Sequence, residues 1–423
     1  MTSTAQAHCP FRIDATGSDI HAEGAALRAI GPAARVVLPG LPDDIVTWSV
    51  TDPDLIRRLL AHPDISKNAG EHWPALKTGQ VPDDWPEQIW VIVRNALGAY
   101  GVEHRRLRRP LAAAFSPRRV RALTPQIEAL TQELLDELED EGADGTVDLR
   151  DRFTARLPLR VVNLVLGVPE EMHDKFRGPV GDLFTTTLTS EEAGAVRDRV
   201  YKLLGELVKH KQKHPGGDIT TSLIDSHRDG ELTLQELLDS LMLLIGAGHE
   251  TTVGLLSHGV VNLAVHRDQL ALATSGEVPW STVVDEVLRH QAPIATILPR
   301  FPVCQVTDEI TGITFAPGDL IVINYAAAGR DTGVHGATAD RFDVTRPRHD
   351  HLAFGHGVHM CPGAELARIE GRVALAALFE RFPDLHLAVE PSRLEPLPSY
   401  ISNGFTAIPT HLGQAHVRAG EDR

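Results

Sequence analysis

A chain of 423 residues, 42% hydrophobic and 23% charged, has material for a large core, and its formal net charge of −16 argues against non-specific binding of nucleic acid. Three cysteines, Cys9, Cys304 and Cys361, are too few and too scattered for a disulfide framework. No apolar run reaches the length of a membrane span and MTSTAQAHCP lacks the pattern of a secretory leader, so the expectation is a cytoplasmic protein of a reducing compartment that enters no membrane.

The first forty residues, with Gly and Pro at intervals, read as loosely structured, the first twenty or so as flexible. TDPDLIRRLL reads as a short helix with Asp52 as cap, Pro53 at the first position, and Leu55, Leu59 and Leu60 on one side. Residues 64–100 have no clean period and hold Trp73, Trp85 and Trp90, which favours a lid or binding loop over simple packing against the body. From His104 to Ile127 there is no acidic residue, while Arg105, Arg106, Arg108, Arg109, Arg118, Arg119 and Arg121 crowd together. On an acidic protein that patch reads as a docking site for an anionic partner, or as a solvated helix face.

Helical patterns follow at Thr124–Glu141, Leu157–Leu166 and Val196–Lys213. Thr233 and Glu236 then form a capping-box pattern, and apolar periodicity continues past Leu263. A helix of that length spans about 45 Å and should cross the whole protein. Its middle, LLIGAGHETT, breaks local rules. Gly246 and Gly248 each cost about 1 kcal/mol against alanine, and Glu250 is a potential charge in a buried stretch. Small residues there leave room for something flat and bulky, Thr251 and Thr252 can bond back to carbonyls one turn earlier, and an acid beside a hydroxyl suits proton delivery.

Further on, Glu286 and Arg289 stand at i, i+3 on one helix face. Residues 300–325 alternate β-branched positions around Gly312 and Pro317-Gly318, hence short strands, with Cys304 expected as a small core residue. The stretch HDHLAFGHGVHMCPGAELARIE places Cys361 at the end of a glycine-rich loop, with Pro362 expected at the first position of a helix. Free N–H groups and the helix dipole should lower the thiol pKa there. Four roles stand open for Cys361: a nucleophile with His356 or His359 as base, a zinc ligand with those histidines, a buried structural cysteine, or an axial ligand of haem iron.

Phe354-Gly355-His356-Gly357-Val358-His359-Met360-Cys361-Pro362-Gly363 resembles the haem-binding loop of the cytochrome P-450 superfamily, FxxGxxxCxG. Ala247-Gly248-His249-Glu250-Thr251-Thr252 resembles its oxygen-activation motif, Glu286-Val287-Leu288-Arg289 its ExxR, Ala339-Asp340-Arg341-Phe342 the segment whose arginine completes that ion triad, and His104-Arg105-Arg106-Leu107-Arg108 its HxxxR. All five stand in the family's order, and the chain looks most like soluble actinobacterial members that tailor macrolides, polyketides and steroids. Two departures are Pro362, in place of an aliphatic residue, and Gln291, where related sequences tend to carry an aromatic.

The resemblance implies a mainly α fold with small β-sheets, residues 1–423 forming one domain, and haem b held between the central helix and the cysteine loop. It implies Cys361 as iron ligand, with Phe354, Gly357, Gly363, Ala247 and Gly248 around the ring, and His104, Arg108, Arg300 and His359 on the propionates. Glu250 and Thr251 would relay protons to dioxygen, and Glu286, Arg289 and Arg341 would lock the core. Pocket walls by analogy include Trp90, Val93, Leu183, Leu243, Leu244, Ile294, Ile297 and Ile401, mostly aliphatic, with no clustered charge. The implied activity is hydroxylation or epoxidation of an apolar, medium-to-large substrate such as a steroid, macrolide or other polyketide. The chain carries no reductase region, so electrons would come from a ferredoxin and its reductase, docking on the monomer at 104–121. A haem-binding sensor without turnover is the alternative.

Overall fold

The periodicity after Thr233 becomes one unbroken helix, Leu234–Val265, in the computed structural model, which describes residues 10–85, 87–142, 145–183 and 188–416. Its cap is reciprocal. The Glu236 N–H donates to the Thr233 hydroxyl at 3.1 Å, and the Thr233 N–H donates to the Glu236 carboxylate at 2.8 Å, satisfying two donors that a helix start leaves open. This central helix is buried along most of its length because helices Arg156–Leu166, Trp280–His290 and Ala364–Arg381 pack along it. Leu255, Val260 and Leu263 meet Val283, Val287, Leu375 and Leu378 in one apolar cluster. Each such side chain contributes roughly 1.5–3 kcal/mol on burial. The earlier turns of the central helix join a second cluster, in which Leu237, Leu241 and Ile245 meet Leu166, Phe176 and Leu204. The fold is mainly helical with small sheets, as the resemblance implied.

The largest sheet has six strands in the order Phe11–Arg12, Ala33–Val37, Thr47–Val50, Leu320–Asn324, Thr296–Pro302 and Ile65–Ser66. Two details of its register place side chains for the site. Ile297 pairs with Ile323 and Arg300 with Ile321, so the two residues between them on one strand oppose one on the other. Residues three apart on a regular strand face opposite ways; the extra residue turns Ile297 and Arg300 to the same side. Ser66 pairs with Phe301 in antiparallel register, so Lys67, the next residue, comes opposite Arg300.

Several expectations are corrected. Trp73 is 1% exposed, stacked on Phe301 at 5.5 Å and edge-on to Trp85 at 5.8 Å. Trp85 donates to the Pro39 carbonyl at 3.2 Å. These two tryptophans are core, and the segment around them folds into short helices, among them Gln88–Ile92. The side chain of Trp90 and all of Cys9 lie outside the described residues. Cys304 is exposed in a bend between strands, because the strand pattern breaks at Pro302. The helix expected from Val196 starts earlier, at Ser190, where Thr189 and Glu192 form a second capping box. Gln291 accepts from Asn403 at 3.0 Å and lies 2.7 Å from His21 Nε2, so it ties an N-terminal helix to the C-terminal segment, which a phenylalanine could not do.

Candidate active site

The cysteine loop is shaped by close backbone contact. Gly357 has φ +69°, and a Cβ there would stand 2.4 Å from the Leu60 carbonyl oxygen, so glycine is required. The Cys361 N–H donates to the Phe354 carbonyl at 2.8 Å and closes the loop. Helix Ala364–Arg381 begins only after Gly363, which leaves Pro362 outside it. Burial pushes the Cys361 thiol up, more than the Gly363 N–H and the charges of Arg108 and Arg368 bring it down. The lowered pKa expected from the helix start is therefore not what the fold delivers, since desolvation of the anion outweighs the dipole. A cation bound at sulfur is what would hold a thiolate here.

One cavity brings the cysteine loop and the central helix together. Its lining includes Phe354, Gly355, His359, Cys361, Pro362 and Gly363 from the first, and Leu243, Leu244, Ala247, Gly248, Thr251 and Thr252 from the second. Leu183, Ile294, Ile297 and Ile401 line it as the analogy had it, while Val93 does not. Leu97 and Leu188, from two further stretches the analogy pointed to, line it as well, while Val162 and Val165, which also line it, were not singled out by sequence reasoning. Gly248 has a second duty, because a Cβ there would stand 3.0 Å from the Val162 side chain of helix Arg156–Leu166. Thr251 donates to the Ala247 carbonyl at 2.7 Å and Thr252 to the Gly248 carbonyl at 3.1 Å, the back-bonding its position suggested. Glu250 is not in the lining. It is buried and faces Arg150 at 3.5 Å, a residue with no signal in the sequence. Burial raises the Glu250 pKa, and Arg150 opposes that rise.

Along one wall the cavity collects basic groups. Lys67, Arg108, Arg300 and His359 line it, and the His104 ring is 4.1 Å from that of His359. Lys67 is 1% exposed and Arg300 4%. Arg300 donates to the Pro299 carbonyl at 3.0 Å, and Arg108 to that of Met360. Lys67 Nζ and His104 Nε2 have no hydrogen-bond partner among the described residues. Burial and then Arg300 push Lys67 well below its usual pKa, and burial with Arg108 brings His104 down to about 4. Buried cations side by side are costly unless an anion joins them. The two carboxylates of a haem, with its iron toward Cys361, fit this arrangement. Lys67 was not legible as a site residue, because only the strand register sets it against Arg300.

Behind the loop lies a second charged group. Glu286 and Arg289 are both fully buried and joined by two contacts of 2.7 Å. Arg289 also donates to the carbonyls of Gly329, Ala339 and Arg341 at 2.7–2.8 Å. The sequence assigned the third position to Arg341, but its side chain is exposed and only its carbonyl takes part. The arginine that reaches Glu286 is Arg346, at 3.7 Å, with His349 at 3.2 Å. The chain turns back after Phe342, whose ring is buried, so the residue one turn later points inward. Burial would raise the Glu286 pKa, but Arg289, His349 and the Asp343 N–H bring it below its ordinary value.

The arginine-rich segment divides as well. Arg106 pairs with Glu103 and Glu236, Arg109 with Glu231 and Arg121 with Glu365 at 4.0 Å, and Arg108 turns inward; Arg105, Arg118, Arg119 and Arg121 are exposed on this face. The zinc alternative has no counterpart in the geometry, since among the described residues no three His, Cys, Asp or Glu side chains converge as metal ligands. Among the same residues no helix is long and apolar enough to cross a membrane.

Comparison with known proteins bears on this geometry. The cytochrome P450 family model matches residues 280–405, the stretch that holds Glu286, Arg289 and Cys361. The 2-hydroxy-5-methyl-1-naphthoate 7-hydroxylase of Streptomyces carzinostaticus is 39% identical over 405 residues, 96% of this chain and 98% of the relative. The structure of CYP154A1 from Streptomyces coelicolor A3(2) superposes with a TM-score of 0.89 at 45% identity, covering 95% of this chain and 100% of that one. CYP154C4 from Streptomyces sp. ATCC 11861, with testosterone bound, gives 0.91 at 37% identity, covering 96% and 99%. With the cysteine loop, the buried ion cluster and the central helix in one frame, and identity of this order along nearly the whole length, the chain belongs to the cytochrome P450 family and is a haem-dependent monooxygenase.

Proposed function

We propose that the protein hydroxylates or epoxidises an apolar, medium-to-large substrate such as a steroid, macrolide or other polyketide, using haem b and electrons from a ferredoxin and its reductase. The observation that carries this reading is the pairing of Cys361 with buried, unneutralised Lys67 and Arg300 in one otherwise largely apolar cavity. When bound, the haem supplies the activation of dioxygen, which thiolate ligation favours.

Cys361 Sγ would hold the iron. His104, Arg108, Arg300, His359 and, in addition, Lys67 would pair with the propionates, and Phe354, Gly363, Ala247 and Gly248 would border the ring, while Gly357, packed on the Leu60 backbone and absent from the cavity lining, would only shape the loop. The Thr251 hydroxyl, already donating to Ala247, keeps its lone pairs for a donor in the cavity. Glu250 stands behind it, and Arg150, whose side chain is 24% exposed, connects that carboxyl with solvent. Glu250 and Thr251 would then act as successive stations for protons entering the cavity. Apolar walls suit a substrate with few polar handles; among the relatives, one is named for a naphthoate and one holds a steroid. Arg105, Arg118, Arg119 and Arg121 lie on the cysteine side, with exposed Val358 and Met360 between loop and solvent, and suit an acidic redox protein. The protein would act in the cytoplasm as a monomer, residues 1–423 forming one domain.

A difference spectrum of the reduced protein with carbon monoxide tests the ligand: a band at about 450 nm is expected, and its absence would remove Cys361 as iron ligand. Screening steroids, macrolides and other polyketides for a low-spin to high-spin shift would then identify the substrate class. No shift with any of the three would overturn that part of the reading.

A further inference from the structure

Helix Trp280–His290 carries a second acid beside Glu286. Glu286 points into the buried ion cluster, whereas Asp285, one residue earlier, meets the cysteine loop and the helix that follows it. Asp285 Oδ1 accepts from Arg368 Nε at 2.8 Å and lies 3.3 Å from His351 Nε2. His351 Nδ1 accepts from the Ala353 N–H at 3.2 Å, so the imidazole proton sits on Nε2 and is donated to that same oxygen. Burial would raise the Asp285 pKa, but His351 and Arg368 bring it below its ordinary value. Held in this way, Arg368 places its guanidinium 4.7 Å from the centroid of the Phe354 ring, and the His351 ring stands 5.5 Å from the same ring. Phe354 lines the cavity with Cys361, and its carbonyl accepts the Cys361 N–H. Burial pushes the Cys361 thiol up, and the charge of Arg368 is among those that oppose it.

We propose that Arg368 and Asp285 are a charge-setting pair: with Arg368 resting on Phe354, they fix how readily a haem iron held by Cys361 takes up an electron. Reduction from ferric to ferrous adds one electron, supplied by an external reductant, to the iron and its thiolate. A cation nearby favours that step and an anion opposes it. Neither residue touches the reacting atoms, and both act by position. Asp285 aims the guanidinium at the ring, and its own charge offsets part of the field of that cation. The side chains of Arg368 and Asp285 are 33% and 31% exposed, so water screens them and each alone has a modest effect. This inference rests on the haem reading above.

The test is a spectroelectrochemical titration of the substrate-free holoenzyme. Arg368→Gln should lower the equilibrium constant for reduction about threefold to tenfold, tenfold being about 59 mV for one electron. Asp285→Asn keeps the acceptor oxygen for Arg368 and removes only charge, so it should raise the constant by a similar factor. Arg368→Lys, which keeps the charge, should stay within about twofold of wild type. Opposite signs are what a purely structural role would not give, since loosened packing would move both charge removals the same way. Shifts in one direction for Arg368→Gln and Asp285→Asn, no shift in either, or a shift in Arg368→Lys as large as in Arg368→Gln would each overturn the proposal. So would loss of the carbon monoxide band at about 450 nm in Asp285→Asn, which would make the cluster a prop for the shape of the loop. Should Arg368→Gln fail to take up haem, the sign of the Asp285→Asn shift decides alone. If the wild type itself shows no such band, the haem reading falls, and the charge-setting pair with it.

Discussion

Two groups of buried charge flank the cysteine loop, and they are built on opposite terms. Behind the loop, Glu286 meets Arg289, Arg346, His349 and the Asp343 N–H, and Arg289 spends its remaining donors on three carbonyls. In the cavity, Lys67 and Arg300 are as deeply buried, yet no carboxylate lies within ion-pair distance of either among the described residues. Burial is the same; satisfaction differs. The first group finds its charge partners within the fold, as a structural lock would require. The second is incomplete without an anion, which is the signature of a binding site.

The contrast can be broken at either end. Arg289→Ala should have the largest effect, because it leaves Glu286 buried without its main partner; a loss of about 3–5 kcal/mol is expected in urea unfolding. A loss under 1 kcal/mol would mean that Arg346 and His349 suffice. Lys67→Met should go the other way in the haem-free protein, stabilising it by about 1–3 kcal/mol through removal of an unsatisfied buried charge. In the holoenzyme the same substitution should speed transfer of haem to apomyoglobin. Destabilisation of the haem-free form, or unaltered transfer, would show that Lys67 has a partner in the fold.

Glu370, on the helix after the loop, tests whether an unpaired acid behaves likewise. It is 3% exposed, lines the cavity, and its Oε2 has no partner among the described residues. Burial raises its pKa well above the ordinary 4.5. The folded chain then holds a proton that the unfolded chain releases, so stability from this group is greatest below pH 4.5 and falls as pH rises above it. Glu370→Gln should remove that fall, seen as a stability advantage over wild type that grows with pH. A difference independent of pH would place an unrecognised partner beside the carboxyl. Arg341→Ala should have the smallest effect, within about 0.5 kcal/mol, since its side chain is exposed. A loss comparable with that of Arg346→Ala would restore Arg341 to the cluster.

Much of the molecule was legible wherever the cause is local. Caps at Asp52 and Thr233, the length of the central helix and the contact between Glu286 and Arg289 follow from neighbours three or four residues apart. What failed depended on distant chain. Trp73 and Trp85 resembled a lid until Phe301 and Pro39 arrived from elsewhere to cover them. The exchange of Arg346 for Arg341 turns on which way the chain bends after Phe342, and burial pushes the Cys361 thiol up more than the Gly363 N–H and the nearby arginines bring it down.

By itself, then, the sequence determined the helices, the glycine loop around Cys361 and the order of motifs that led to the family, because propensity, capping and close backbone turns are properties of short stretches. Only the tertiary structure decided which charges are paired and which wait for a ligand. Lys67 joins Arg300 through a strand register and a bulge, and Glu250 meets Arg150 across a hundred residues of chain. Burial and partnership belong to the assembled fold, since desolvation is set by everything that surrounds a group and not by what precedes it in the chain.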